Sequence, residues 1–204
     1  MTDNETREKW DSASRLFDLM GGLGTEKRWR PYKERLFSAM DGKILFMAVG
    51  TGLDISCFPP GRDITGIDIS PRMLEKAEPR VAAYIGRMTT RVMDIHDMDF
   101  PDAAFDQVYT SCTFCSVPDP IGGLKAIRRV LKPGGSLNMF EHTGSRIFPF
   151  NLILNLMNPL CRNLGPEVNR DTPANVRAAG FGVRKVTNIF LDTVKTIEAV
   201  APKA

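Results

Sequence analysis

Apolar residues occur in this chain either in short uninterrupted runs or in longer stretches where they recur every three or four positions. Short runs bounded by turn residues are typical of strands buried on both faces, and the longer periodic stretches are typical of amphipathic helices. Five runs are predicted to be strands: Ile44–Ala48, Asp63–Asp68, Thr90–Asp94, Phe105–Ser111 and Ser136–Glu141. Helical patterns separate them, most clearly at Pro71–Ile85 and Pro118–Leu131, which favours an open, mostly parallel sheet with helices on both faces.

The first forty residues show helical periodicity instead. Residues 5–20 are predicted to form an amphipathic helix, and residues 25–40 a second helix that carries a basic and aromatic run at 27–35. We expect these two helices to form an N-terminal helical lid, residues 1–40, over a main domain of residues 41–204.

The end of the chain adds an insert and a hairpin. An apolar segment at residues 147–164, interrupted by asparagine and proline, is predicted to be irregular, and a helix capped at residue 171 or 172 follows it. The last two strands, Val183–Phe190 and Thr193–Val200, are joined by a turn too short for a crossover and are therefore predicted to be antiparallel. The prediction is an α/β protein with a seven-stranded, mostly parallel sheet that ends in an antiparallel hairpin.

Composition narrows the class of protein only slightly. With 204 residues, 43% hydrophobic and 25% charged, the chain has the make-up of an ordinary globular domain. Its 27 basic residues against 24 acidic ones are too small a surplus to require nucleic acid, although they would not oppose an anionic membrane. Four unevenly spaced cysteines and no recognisable signal peptide favour a reducing cytoplasm, and no apolar stretch reaches the roughly 20 residues that span a bilayer.

A glycine turn and an acidic residue are predicted to lie side by side at one edge of the sheet. The first strand runs into Gly50 and Gly52, and the second ends at Asp68, which can accept hydrogen bonds from both hydroxyls of an adenosine ribose. The third glycine of a dinucleotide fingerprint is replaced by Ile55, and no triphosphate-binding loop is present. This spacing favours S-adenosylmethionine, whose adenosine is attached to an amino acid. The alternative is a purely structural one, in which a tight turn lies in the chain together with an unrelated surface aspartate.

Four motifs in their order resemble the class I S-adenosylmethionine-dependent methyltransferases, which implies a Rossmann-like fold. They are Ile44-Leu45-Phe46-Met47-Ala48-Val49-Gly50-Thr51-Gly52, Gly66-Ile67-Asp68-Ile69-Ser70-Pro71, Met93-Asp94 with Phe100-Pro101-Asp102, and Leu131-Lys132-Pro133-Gly134-Gly135. Two positions depart from the family's first motif. Phe46 replaces an acidic residue and Ala48 replaces the first glycine, so the methionine end of the cofactor has one contact fewer.

The resemblance also implies roles for individual residues. The residues expected to bind the cofactor are Ala48, Gly50, Thr51, Gly52, Asp68, Ile69, Met73, Asp94, Ile95, Ser111 and Cys112. Asp68 would hold the ribose, Asp94 the adenine amino group, and Ser111 and Cys112 would face the methionyl group. For the apolar members of this set, a place in the core is an equally simple explanation.

Other segments resemble methyltransferases with lipophilic acceptors. Asp18-Leu19-Met20 with Gly24-Thr25-Glu26 resembles the start of ubiquinone and menaquinone C-methyltransferases. Segments around Cys112, Phe140-Glu141-His142 and Asn169-Arg170-Asp171 resemble small bacterial phospholipid N-methyltransferases and lipid-associated thiol methyltransferases. The first choice of acceptor is phosphatidylethanolamine. Methylation of a polyprenyl quinol or a small thiol, and a cofactor-binding regulator without catalysis, are the alternatives.

Positions near the strand ends suggest residues for the acceptor. Glu141 or His142 would remove the proton of an attacking amine, and Arg146 or Arg170 would hold a phosphate. The aromatic rings of Trp29, Tyr32 and Phe114 would stabilise methylated ammonium products. Each of these residues also has a purely structural explanation.

Partners and location complete the sequence-based prediction. The N-terminal helix and the apolar insert are expected to contact an anionic membrane surface, which places the protein in the cytoplasm on the inner face of the membrane. His96 is expected to be solvated. Cys112 and Cys115 form a C-x-x-C without a second pair, so no metal is expected.

Overall fold

From Lys43 onwards, strands and helices alternate along the chain in the computed structural model, which describes residues 3–22, 25–164 and 166–203. The helices are α1 (Asp3–Gly22), α2 (Thr25–Phe37), α3 (Pro71–Ala82), α4 (Pro120–Val130), α5 (Phe150–Leu164) and α6 (Thr172–Ala178). The strands are β1 (Lys43–Met47), β2 (Asp63–Asp68), β3 (Arg87–Val92), β4 (Phe105–Ser111), β5 (Leu131–His142), β6 (Gly182–Phe190) and β7 (Val194–Val200). Gly24, part of one predicted motif, lies outside the described residues.

The strands of the described residues form one sheet in the order β3-β2-β1-β4-β5-β7-β6. Strands β1 to β5 are parallel, and β7 lies antiparallel between β5 and β6. The predicted seven-stranded α/β sheet with its antiparallel hairpin is therefore confirmed. Because the strand order reverses between β1 and β4, the loops that leave these two strands diverge and open a crevice at their carboxyl ends.

Alternating side chains of β1 enter two different cores. Met47 belongs to the core that β1, β4 and β5 share with α4 and α6, whereas Phe46 belongs to the core on the other face, under α2 and α3. The ring of Phe46 lies 5.8 Å from that of Phe37 and 4.8 Å from that of Phe58, between centroids. Phe46, which replaces the family's acidic residue, thus fills the core.

The segment predicted to be an irregular insert is the helix α5. Asn151, Asn155 and Asn158 interrupt its apolar sequence, but their spacing of four and three residues puts them on one helical face. The side-chain oxygen of Asn155 accepts a hydrogen bond from Nδ2 of Asn169 at 2.9 Å, and that of Asn158 accepts one from the backbone N–H of Val168 at 2.9 Å. The asparagines therefore hold the helix to the following segment.

The third strand also differs from its prediction. It spans Arg87–Val92 rather than Thr90–Asp94, because this edge strand is largely exposed and its polar residues do not form a buried run. Met93 is buried just beyond the strand end, where its N–H donates to the carbonyl oxygen of Asp68 at 2.9 Å.

Candidate active site

A cavity of about 320 Å³ lies in the crevice at the carboxyl ends of β1, β2 and β4. Nine of the eleven residues predicted to bind the cofactor line it: Ala48, Gly50, Asp68, Ile69, Met73, Asp94, Ile95, Ser111 and Cys112. The sequence motifs at the ends of neighbouring parallel strands thus converge on one space, as the sheet geometry requires.

The turn after β1 lets the backbone approach this cavity closely. Ala48 and Gly50 adopt positive φ angles of 52° and 57°, and the N–H of Gly50 donates to Oδ2 of Asp68 at 2.8 Å. Gly52 has a different role, because a Cβ there would lie 3.0 Å from Cδ1 of Ile55 and 3.2 Å from Cβ of Ala77. Gly52 is needed for the packing of the turn against α3 and is not among the residues that line the cavity.

Asp68 presents its carboxyl group to the cavity from the end of β2. Oδ1 accepts the N–H of Ser70 at 2.9 Å, and Oδ2 accepts that of Gly50. Burial raises the pKa of Asp68 to about 6. The nearby Asp11 contributes to this rise, whereas the two hydrogen bonds favour the ionised form and act against it. Each carboxylate oxygen has a further lone pair, so the group can accept from two ribose hydroxyls. This donor set fits the adenosine of S-adenosylmethionine.

Asp94 and His96 form a pair on the next wall of the cavity. Oδ1 of Asp94 accepts the backbone N–H of His96 at 2.7 Å and lies 2.9 Å from Nδ1 of its ring, and this pairing lowers the pKa of Asp94. Nε2 of His96 lies 2.9 Å from the carbonyl oxygen of Asp119, the N-cap of α4. His96 was expected to be solvated, but it lines the cavity and connects Asp94 to α4.

The segment after β4 forms the opposite wall. Its cavity-lining residues are Ser111, Cys112, Thr113, Cys115, Ser116, Val117 and Pro118. Burial raises the pKa of the Cys115 thiol, which is therefore protonated near neutral pH, whereas Cys112 is exposed toward the cavity. Among the described residues, no group of side chains could hold a metal ion.

Glu141 holds this wall from below and does not line the cavity. The side chain is fully buried. Oε1 accepts from Oγ1 of Thr110 at 2.7 Å and from the N–H of Thr113 at 3.2 Å, and Oε2 accepts the N–H of Phe114 at 3.1 Å. Burial raises the pKa of Glu141 to about 7. The prediction of a proton-accepting role toward the acceptor is corrected, because both oxygens are occupied by the wall itself.

Arg170 fixes the same wall from the other side. Its Nη1 donates to the carbonyl oxygen of Phe114 at 2.8 Å and to that of Val117, while Nε donates to Oε2 of Glu167 at 3.0 Å. The guanidinium is thus committed to backbone carbonyls and one carboxylate, which corrects its predicted role as a phosphate ligand. Phe114, predicted to face the acceptor, is fully buried in the core shared with α4.

The remaining residues predicted for the acceptor also lie outside the cavity wall. Trp29 packs against Phe140 and Phe190, at ring-centroid distances of 6.1 Å and 5.9 Å, and Tyr32 is partly exposed on α2. Arg146 lines a second, polar cavity of about 370 Å³, where it pairs with Asp171.

His142 also departs from its prediction. It follows the buried Glu141 at the end of β5 and pairs with Val194 of β7, beyond the crevice. Burial and the nearby Lys195 lower the pKa of His142. The position of His142 therefore does not support a role in catalysis.

The helix α1 closes one side of the cavity, through side chains that no sequence motif indicated. Thr6, Trp10 and Phe17 line the cavity. The described aromatic residues of α1 thus face the cavity. The described side chains of this helix form no exposed apolar face, so they give no support to the expected contact of α1 with a membrane.

A row of polar contacts, the α1–α3 seam, holds this helix in place. Asp11 accepts from Oγ of Ser70 at 2.5 Å, Nζ of Lys76 donates to the carbonyl oxygen of Ser14 at 2.6 Å, and Arg80 pairs with Asp18 at 3.0 Å. Asp18 also accepts from Oγ1 of Thr51 at 2.5 Å. Thr51, predicted to bind the cofactor, is therefore fully buried beneath α1 and serves the seam.

Comparison with known proteins agrees with this geometry. A family model described as a methyltransferase domain matches residues 45–139. The ubiquinone/menaquinone biosynthesis C-methyltransferase UbiE of Geotalea daltonii is 34% identical over 71% of this chain and 66% of its own length. The phosphatidylethanolamine N-methyltransferase of Cereibacter sphaeroides is 33% identical over 52% of this chain and 53% of its own length.

A solved structure shows the same fold. A possible histamine N-methyltransferase of Thermotoga maritima superposes with a TM-score of 0.71 at 17% identity, over 95% of this chain and 99% of the other. The family model, the relatives and the fold together support a class I S-adenosylmethionine-dependent methyltransferase. The matches span less than two thirds of the length of the quinone methyltransferases, 66% and 62% for the first two.

Proposed function

We propose that this protein transfers a methyl group from S-adenosylmethionine to a lipophilic acceptor, of which a polyprenyl quinol is the preferred class. The cavity supports binding of the cofactor through Asp68 and Gly50 at the ribose and through Asp94 and Ile95 at the adenine. Bound there, S-adenosylmethionine supplies a methyl group on a sulfonium, which an acceptor attacks by direct displacement.

The composition of the cavity wall carries the choice of acceptor. Among the described lining residues there is no lysine or arginine, and the charged or titratable groups are Asp68, Asp94 and His96, together with the thiols of two cysteines. A phospholipid phosphate would meet no basic side chain there, whereas an uncharged aromatic ring suits the aromatic and aliphatic wall. The comparisons point in the same direction, since the quinone methyltransferases match more of this chain than the phosphatidylethanolamine enzyme does. Phosphatidylethanolamine, the first choice from sequence, becomes the second candidate.

The chain's own residues would act mainly by position. Asp68 and the turn at Gly50 orient the nucleoside, and the wall held by Glu141 and Arg170 fixes the surface that an acceptor would approach. Trp10 and Phe17 of α1 would exclude water from the reacting atoms. Displacement reactions gain most of their acceleration from such alignment and from exclusion of water.

Methyl-labelled cofactor tests the proposal directly. The pure protein would be incubated with a demethylated polyprenyl quinol, phosphatidylethanolamine and a small thiol in separate detergent-dispersed reactions. We expect label on a ring carbon of the quinol. Label in the phospholipid headgroup would favour the second candidate, and cofactor binding without transfer to any acceptor would favour a regulator.

A further inference from the structure

The exposed apolar side chains of this protein are concentrated on α5 and the loop before it. Of the twelve large apolar side chains exposed in the described residues, seven lie between Ile147 and Leu160. Leu156 is 81% exposed, Phe148 77% and Leu160 67%. Single exposed apolar residues are common on protein surfaces, but a contiguous patch marks an interaction site.

These side chains form one stripe along the helix, the α5 stripe. Its members are Leu152, Ile153, Leu156, Met157 and Leu160, which recur at the spacing of a single helical face. The polar side of the helix is already tied to the body by the hydrogen bonds of Asn155 and Asn158. The stripe therefore faces outward.

The charged residues within this segment of the sequence have one sign. From Thr143 to Pro166 the sequence contains no acidic residue, and its charged residues are Arg146 and Arg162. The side chain of Arg146 pairs with Asp171 at 2.9 Å but remains 81% exposed, next to the exposed Ile147 and Phe148. An apolar helical stripe in a segment with basic but no acidic residues is complementary to the surface of a bilayer that contains anionic lipids.

We propose that α5 docks on a bilayer containing anionic phospholipid, with the α5 stripe inserted at the boundary between headgroups and acyl chains. A bilayer matches both the outward-facing apolar stripe and the basic character of this segment. Pro166, which follows α5 closely, lines the active-site cavity, and the N–H of Glu167 donates to the carbonyl oxygen of Cys115 at 2.7 Å. Docking would bring the cavity rim to the bilayer. The role of docking in catalysis rests on the proposed function, but docking itself is measured without turnover.

Vesicle flotation of the full chain tests the proposal. We expect binding to vesicles of phosphatidylcholine mixed with phosphatidylglycerol. Leu156→Asp should lower the partition coefficient about tenfold or more, because it removes one buried leucyl group and inserts a charge. Arg146→Gln should lower it about fivefold on the mixed vesicles and little on phosphatidylcholine alone.

Ile85→Asp is the matched control, since Ile85 is 76% exposed but lies between α3 and β3 at the opposite edge of the sheet. It should bind vesicles as the unaltered chain does. Equal binding by Leu156→Asp would overturn the proposal, as would a dimer in solution that Leu156→Asp dissociates. Absent vesicle binding with continued methylation of a dispersed acceptor would overturn docking and leave the proposed function intact. Vesicle binding without any methyl transfer would overturn the proposed function and leave docking intact.

Discussion

The two sides of the active-site cavity differ in how they are built. On the side of β1 and β2, cavity-lining residues such as Gly50, Asp68 and Ile69 belong to local motifs at strand ends. On the side of β4 and β5, the wall is positioned by Glu141 and Arg170, which lie 29 and 58 residues along the chain from Cys112. Local motifs determine the side of β1 and β2, which we propose as the nucleoside side, whereas contacts between distant segments determine the side of β4 and β5, which we propose as the acceptor side.

The largest effect is expected on the nucleoside side. Asp68→Ala removes the carboxylate that would accept the ribose hydroxyls, so the Kd for S-adenosylmethionine should rise about a hundredfold. Isothermal calorimetry measures this change. Asp63→Ala is the control, because Asp63 lies exposed at the other end of β2. An equal loss of affinity in both variants would refute the assignment of the ribose site.

The next test removes the support of the acceptor side. Glu141→Ala leaves Thr110 and the N–H groups of Thr113 and Phe114 without their acceptor, and should lower the free energy of unfolding by about 2 kcal/mol. The turnover number should fall more than the cofactor affinity does. Urea unfolding and steady-state kinetics measure both. A variant of full stability that lacks only the acidic limb of the pH–rate profile would instead restore a role as general base to Glu141.

The raised pKa of Glu141 has a further consequence for stability. The folded state binds a proton at a pKa of about 7, above the ordinary value of 4.5, so it holds more protons than the unfolded state between these pH values. This group's contribution to the free energy of unfolding should therefore fall as pH rises from about 4.5 to 7 and remain constant above that. Subtracting the free energy of unfolding of Glu141→Gln from that of the unaltered chain at each pH isolates this contribution. A difference that does not change with pH would contradict the burial of this carboxyl group.

How far the sequence could predict this protein follows from the same contrast. The uninterrupted apolar run of β1 and the motif at Asp68 depend on neighbouring residues, so the sheet and nine residues of the cavity wall could be predicted. Glu141 and His142 could not be assigned, because consecutive strand residues point to opposite faces and only the neighbouring strands decide which face is open. Likewise, the asparagines of α5 interrupt an apolar run in sequence but lie on one face in space.

Arg170 provides a smaller test of the acceptor side. Arg170→Met removes the donors to the carbonyl oxygens of Phe114 and Val117, and should lower the free energy of unfolding by about 1 to 2 kcal/mol. The loss of activity should be the same for charged and uncharged acceptors. Arg177→Met, on the exposed surface of α6, is the control. A defect confined to phosphate-bearing acceptors would support the original phosphate-binding prediction.

The smallest effect is expected at the α1–α3 seam. Arg80→Met breaks the partly exposed pair with Asp18, so cofactor dissociation should accelerate by about threefold as α1 opens more readily. Stopped-flow displacement measures the rate. Arg72→Met, an exposed position on α3, should leave the rate unchanged. Identical dissociation rates in the Arg80 variant and the unaltered chain would show that the α1–α3 seam does not slow release of the cofactor.

The central claim is that the turn at Gly50 and the carboxyl group of Asp68 jointly bind the adenosine of S-adenosylmethionine. A crystal structure of the chain with S-adenosylhomocysteine tests this claim most directly. We expect both ribose hydroxyls within hydrogen-bonding distance of Asp68, with the adenine beside Ile95 and the sulfur toward Cys112. A nucleoside bound elsewhere, or no density in this cavity at saturating ligand, would contradict the claim.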